Sequence, residues 1–205
     1  LDLAIREFTK ALEKIEKIIQ RFKRFQNQKE NPHPLMDDQT LLKKLNMPLI
    51  QNYFFRGESF RKKCLFAEAE ADYTKALEVD PQHLKSRIMR LEARDALKKW
   101  KPAIDDLTFL LEKKPDDTSP LAKRAHLYFE MGLGEQASLD YTSILKKEPF
   151  NIPLYLKRAE AKKSSGDLKG AIEDYSKVIE FKPSDAKLYY KRGHLKFLSG
   201  AKKEG

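Results

Sequence analysis

The chain has 205 residues, 40% hydrophobic and 35% charged, with 41 Lys and Arg against 31 Asp and Glu for a net charge of +10. No apolar run approaches the roughly 20 residues that cross a bilayer, and a single cysteine, Cys64, rules out an intrachain disulfide and fits a reducing compartment. The basic excess suits an acidic partner, nucleic acid or a membrane surface, but the lysines are scattered among carboxylates, which reads first as solvated helix faces.

The first element predicted is a long amphipathic helix over residues 2–26. Leu1, Ile5, Phe8, Leu12, Ile15, Ile19 and Phe22 recur at three and four residues and line one face. Acidic and basic residues run throughout it, unlike a signal peptide. Asn31-Pro32-His33-Pro34 is expected to stop it, because proline excludes the preceding residue from helical geometry. Residues 31–49 then read as an irregular insertion or linker with one short helix, Asp38 to Leu45, ending at Pro48.

From Ile50 the chain repeats itself. Pro81, Pro115, Pro149 and Pro183 recur every 34 residues. Each is preceded by an alanine (Ala69, Ala103, Ala137, Ala171), an aspartate (Asp72, Asp106, Asp140, Asp174), and then Tyr73, Leu107, Tyr141 or Tyr175. Gly57, Ala125 and Ala159 add a small-residue column. Each period reads as a helix A, a turn, a helix B and a proline loop. Thr118 is the expected hydroxyl cap before Pro120, and Asn151 takes that place before Pro153. Gly132, Gly166 and Gly200 share the turn column. Cys64 and Lys98 hold it in the first two copies, so those turns are expected to be built differently. The alanines stand where helices A and B pack closest, and Trp100, opening the second copy's helix B, is expected to pack rather than bind.

A period of 34 with Ala-x3-aromatic and a closing proline resembles the tetratricopeptide repeat. The resemblance covers four copies, residues 50–83, 84–117, 118–151 and 152–185, and a partial copy over 186–205. It implies an all-α fold, a right-handed α-solenoid of antiparallel helix pairs. Ala4, Phe8 and Ala11 reproduce the spacing of Ala69, Tyr73 and Ala76, so residues 1–30 read as helix B of a preceding, truncated repeat. With no initiator Met and an end inside a repeat, the sequence reads as an excerpt of a longer chain.

Arg56, Arg90, Arg124, Arg158 and Arg192 keep the same period. They form either a cationic ladder for an anionic ligand or structural pairs with Asp72, Asp106, Asp140 and Asp174 on the facing helix. Matching periods on opposite charges favour the pairs.

The resemblance further implies that the A helices present a concave groove for an extended peptide or a partner helix. Its columns hold Gln51, Phe54 and Glu58, then Lys85, Ile88 and Glu92, then Ser119, Ala122 and His126. Pro153, Leu156 and Glu160 follow, then Lys187, Tyr190 and His194. The middle column, Phe54–Ile88–Ala122–Leu156–Tyr190, is an apolar stripe beside a basic row of Lys123, Lys157 and Lys191. The chaperone-binding members of the family clamp a terminal carboxylate with Lys, Asn and Arg. Here Glu58 and Met89 occupy the asparagine columns, so such a clamp is not expected.

Nothing resembles a phosphate-cradling loop, a zinc framework or a nucleophile motif. Of His33, His83, His126 and His194, the last two share a column but lie two repeats apart, too far for one metal. Lys62 and Lys63 directly precede Cys64, with no base or motif to make it catalytic. We therefore expect a non-catalytic protein–protein interaction scaffold with no cofactor and no metal, intracellular and most simply cytoplasmic, with nuclear or ciliary and cytoskeletal sites open. The alternatives are a basic, nucleic-acid-binding helical repeat and a regulatory or targeting arm of a larger enzyme. The last A helix, with Leu195, Phe197 and Leu198, is expected to expose apolar surface through which copies of the chain could associate.

Overall fold

The computed structural model describes residues 1–27 and 38–201, with residues 25–27, 38, 39, 41, 42 and 201 given by backbone alone. The expected helix stop at Asn31-Pro32-His33-Pro34 and the last four residues lie outside this range. Among the described residues there are ten α-helices and no strand: α1 (Asp2–Asn27), α2 (Asp38–Lys62), α3 (Phe66–Val79), α4 (Leu84–Ala96), α5 (Trp100–Lys113), α6 (Thr118–Glu130), α7 (Gly134–Lys147), α8 (Ile152–Ser164), α9 (Leu168–Phe181) and α10 (Ala186–Ala201). The fold is an all-α helical repeat. It divides within α5 into two compact units, Leu1–Asp106 and Leu107–Gly205.

In the first unit, α1 lies against α2. Leu12, Leu49, Ile50, Tyr53 and Ala76 form a buried cluster edged by Ile15, Ile19 and Val79. This packing corrects the expectation of a short helix over Asp38 to Leu45 in an insertion ending at Pro48, because α2 runs unbroken from Asp38 to Lys62 with Pro48 inside it. An interior proline costs a helix about 3 kcal/mol. Burying Leu49, Ile50 and Tyr53 immediately after it returns about 1.5–3 kcal/mol each, so packing outweighs the break. The Asn52 side-chain amide also donates to the Pro48 carbonyl at 2.8 Å. Beyond it, Ala69, Tyr73 and Ala93 are wholly buried, with Phe54, Phe60, Phe66 and Met89 packed around them.

The turns within helix pairs also differ from expectation. Cys64 (φ 58°) and Lys98 (φ 54°) adopt the same left-handed conformation as Gly132 (φ 75°) and Gly166 (φ 85°). The four turns share one backbone bond: Leu65 N to Phe60 O, Lys99 N to Arg94 O, Leu133 N to Tyr128 O and Asp167 N to Lys162 O, at 2.8–3.0 Å. That bond closes the helix end as a Schellman motif does, and it holds Cys64 and Lys98 in a region costing a side chain about 1–2 kcal/mol. Gly200 is no turn residue here, since it lies within α10.

In the second unit, one cluster joins Leu111, Leu121, Ala125, Ala137, Tyr141, Ile144, Leu145, Leu154 and Ala161. Another joins Ala159, Ala171, Tyr175, Val178 and Ile179 to Leu188 and Leu195 of α10. Leu195 is therefore buried against α9, not exposed as expected, whereas Phe197 is open to solvent and Leu198 half-buried. The cap of α6 is Asp117, whose carboxylate accepts from Ser119 N, rather than Thr118. Asn151 and Asp167 cap α8 and α9 in the same way.

Candidate functional site

The arginine column makes the same contact in four helix pairs. Arg56 donates from Nε and Nη2 to the two carboxylate oxygens of Asp72, both at 2.7 Å. Arg90 meets Asp106 at 3.1 and 2.6 Å, Arg124 meets Asp140 at 2.8 and 2.8 Å, and Arg158 meets Asp174 at 2.9 and 2.5 Å. All four aspartates are buried. Burial pushes the Asp72 carboxyl up against the pull of Arg56, while the hydrogen bond to Asp72 holds the Arg56 guanidinium above its usual range.

The remaining arm of each arginine reaches a hydroxyl on the preceding helix B, a column that sequence reading missed. Arg90 Nη1 donates to Thr74, Arg124 to Thr108, Arg158 to Thr142 and Arg192 to Ser176, at 3.1–3.4 Å. These acceptors also recur every 34 residues, so the signal was available. Arg56 makes the equivalent bond to Thr9 of α1 at 3.1 Å. Arg56, Arg90, Arg124 and Arg158 thus each tie one helix pair internally and to the helix before it, whereas among the described residues Arg192 makes only the second tie. Asp106 additionally takes Arg87 at 3.0 Å and Arg94 at 2.7 Å, and Arg94 and Lys99 both hold Glu70.

The expected groove residues occupy the first helices of the pairs. In the first unit, Phe54 is half-buried against the Tyr73 and His83 rings, and Ile88 is 40% exposed. Glu58 is committed: it accepts from the Tyr73 hydroxyl at 2.5 Å and from Arg61 at 3.1 and 3.0 Å. Burial alone would raise its carboxyl, but Arg61 and Tyr73 hold it below the usual range. Arg61 also reaches toward Glu92 at 3.6 Å. His83, assigned no role from sequence, caps α4 by accepting from Ser86 N, and burial lowers its pKa.

In the second unit the expected residues converge on two adjoining clefts. One, of about 270 Å³, is lined by His126, Phe129, Glu130, Tyr141, Leu156, Lys157 and Glu160. The next, of about 280 Å³, is lined by Glu160, Lys163, Tyr175, Tyr190, Lys191, His194 and Leu195. Glu160 belongs to both. It accepts from the Tyr175 hydroxyl at 2.5 Å and from Lys191 at 2.7 Å, and these bonds hold its carboxyl low against the opposing effect of burial. Tyr190 stacks on His194 at 6.4 Å and is 76% exposed. Ala122 and Lys123 are half-buried on α6 and line neither cleft. Phe129, Glu130 and Lys163 were missed by sequence reading because they fall outside the columns that the resemblance supplied.

Comparison with protein families brings the decisive match. A tetratricopeptide repeat model matches residues 50–83, and a TPR repeat model matches residues 149–200. The chain is a tetratricopeptide repeat protein. Its fold is similar to that of a tetratricopeptide repeat protein from Parabacteroides merdae ATCC 43184, 20% identical over 92% of this chain and 74% of that one, with a TM-score of 0.54. It is also similar to MamA, at 16% identity over 91% of this chain and 96% of that one, with a TM-score of 0.55. A further MamA structure, MSR-1, gives 15%, 76%, 89% and 0.57. No curated protein matches the chain in sequence.

Within the tetratricopeptide array, no cluster of three or more His, Cys, Asp or Glu side chains among the described residues is arranged to hold a metal. None of the described helices is long and apolar enough to cross a membrane. Cys64 is exposed and free.

Proposed function

We propose that the chain is a non-catalytic protein-interaction scaffold that holds a partner helix or extended peptide along the A helices, chiefly α6, α8 and α10. The observation that carries this reading is the pair of clefts sharing Glu160. A floor of Leu156, Phe129 and the Tyr190 ring is edged by Lys157, Lys163, Lys191 and two carboxylates. An apolar strip with charged margins suits an amphipathic helix that inserts apolar side chains and pairs its polar edge. The arginine ladder plays no part in recognition on this reading, because Arg124 and Arg158 spend their forks on buried aspartates. Lys147, Lys177 and Lys191 are each held by a neighbouring carboxylate, Asp116, Glu180 and Glu160, and we read the partner as protein rather than nucleic acid. We assign α1 the role of helix B in a preceding repeat, on the strength of the Thr9–Arg56 bond.

The test is affinity capture from cell extract with the wild type beside a Phe54→Ala/Leu156→Ala/Tyr190→Ala variant of equal helicity and melting. A protein kept by the wild type and lost by the variant supports the groove. Equal retention by both places recognition elsewhere.

A further inference from the structure

Two tyrosines of one column spend their hydroxyls on a glutamate of the helix before them. Tyr73 donates to Glu58 and Tyr175 donates to Glu160, both at 2.5 Å and both across 15 residues of sequence. A cation completes each contact: Arg61 meets Glu58 at 3.1 and 3.0 Å, and Lys191 meets Glu160 at 2.7 Å. The chain thus twice holds a carboxylate between a tyrosine hydroxyl and a cation, with the strength that charge lends to both bonds.

The third copy keeps the donors of this arrangement and lacks its acceptor. Tyr141 continues the tyrosine column and Lys157 continues the column of Lys191, but His126 stands where Glu58 and Glu160 stand. The His126 ring instead lies 3.9 Å from Glu130. Tyr141 is only 2% exposed, yet its hydroxyl meets no acceptor among the described residues. Burial, with Asp140 and Glu130 nearby, raises that hydroxyl above its usual range and keeps it a donor. Lys157 is exposed and makes no ion pair among the described residues. Buried polar groups are ordinarily hydrogen-bonded, so an orphan donor points to an acceptor from outside.

His126, Tyr141 and Lys157 line one cleft, the one of about 270 Å³, together with Phe129 and Leu156. Of the two carboxylates there, Glu160 is already held by Tyr175 and Lys191, and Glu130 lies beside His126. The site is carried by α6, α7 and α8 alone, inside the second unit.

We infer that this cleft receives a glutamate side chain of the partner, its carboxylate taken by the Tyr141 hydroxyl and the Lys157 ammonium and its stem lying against Phe129 and Leu156. Glu160, a side chain held by the same two donor types one repeat on, is the template, so a side chain and not a chain terminus is assigned. The inference rests on the groove reading and names one residue that the bound peptide or helix must carry.

Heteronuclear NMR of the whole chain tests this, with end-blocked Leu-Glu-Leu and Leu-Gln-Leu peptides titrated to about 10 mM, a range that captures millimolar Kd values. The glutamate peptide shifts the amides of α6 and α8 and binds about tenfold tighter than the glutamine peptide, as a hydrogen bond to a charged group allows. Tyr141→Phe and Lys157→Met each cut that preference to about threefold or less. His126→Glu returns a carboxylate to the column, occupies the donors from within and removes the preference. Glu130→Gln removes a like charge and raises the affinity of the glutamate peptide about twofold. Tyr141→Phe melts as the wild type does, having no bond in the folded chain to lose, whereas Tyr175→Phe melts lower. A Tyr141→Phe chain that melts as low as Tyr175→Phe has lost an internal acceptor, which overturns the proposal. Equal binding of the two peptides, with shifts in α6 and α8, overturns the carboxylate site and leaves the groove standing. Absence of shifts with either peptide overturns it too, and the groove is then judged by the capture test alone. A Leu-Gln-Leu peptide with a free C-terminal carboxylate that binds tighter than the end-blocked glutamate peptide assigns the cleft to a chain terminus and likewise overturns it.

Discussion

The arginine column offers an internal control, because four of its members hold a buried carboxylate and the fifth, Arg192, meets none among the described residues. Asp174 is 3% exposed at its side chain and receives Arg158 at 2.9 and 2.5 Å and Lys162 at 3.1 Å. Removing one partner of a buried pair costs about 3–5 kcal/mol, mostly because the other charge is left desolvated. Asp174→Asn should fall within that range. Arg158→Met keeps the aliphatic stem and leaves Lys162 near Asp174, so its cost belongs near the lower end, at about 3 kcal/mol. The double variant leaves no such orphaned pair, and the coupling should be about 1.5–3 kcal/mol. Arg192→Met removes one hydrogen bond from a charged guanidinium to a neutral hydroxyl, Ser176, worth about 1.5 kcal/mol. Urea unfolding followed by circular dichroism gives each value. Equal costs at Arg158 and Arg192, or a coupling below about 0.5 kcal/mol, would refute the assignment of these pairs as the ties between helices.

Three further outcomes follow from the same contacts and their surroundings. Gly57→Ala gains about 1 kcal/mol of helix propensity but sets a methyl 2.8–3.2 Å from the ring of fully buried Tyr73, so a net loss of up to about 2 kcal/mol is expected in the same unfolding assay. Gly193→Ala, with nothing among the described residues within 4 Å of the added Cβ, should stabilise the fold by up to about 1 kcal/mol. Glu58, Glu70 and Glu160 all have carboxyls held below 4.5 in the folded chain, so their contribution is complete above that pH and is lost as the pH falls through the depressed values. Melting temperature should therefore drop between about pH 5 and pH 3, and less steeply in Glu160→Gln.

The 34-residue period made the helix pairs, the proline loops and the arginine and aspartate columns legible, because each rests on residue type at fixed spacing. Pro48 misled the reading. Its local preference breaks a helix, and only the burial of Leu49, Ile50 and Tyr53 against the distant α1 reverses that. Cys64 and Lys98 misled it too, since glycine's preference for positive φ is a tendency that one closing backbone bond can override. The hydroxyl column of Thr74, Thr108, Thr142 and Ser176 was written in the sequence but looked like ordinary polar surface until the arginine arms reached it. Glu58 and Glu160 occupy groove columns, yet each is drawn inward by a tyrosine hydroxyl fifteen residues on, a contact that column position alone does not reveal. The clefts were only half legible, because Phe129 and Lys163 join them through the way α6, α8 and α10 pack within the second unit.

Hydrogen–deuterium exchange of the chain, free and bound to a protein it captures, tests the groove most directly. The account predicts slowed exchange in α6, α8 and α10 with α7 and α9 unchanged. Protection confined to α7 and α9, with the A helices exchanging as in the free chain, would contradict it.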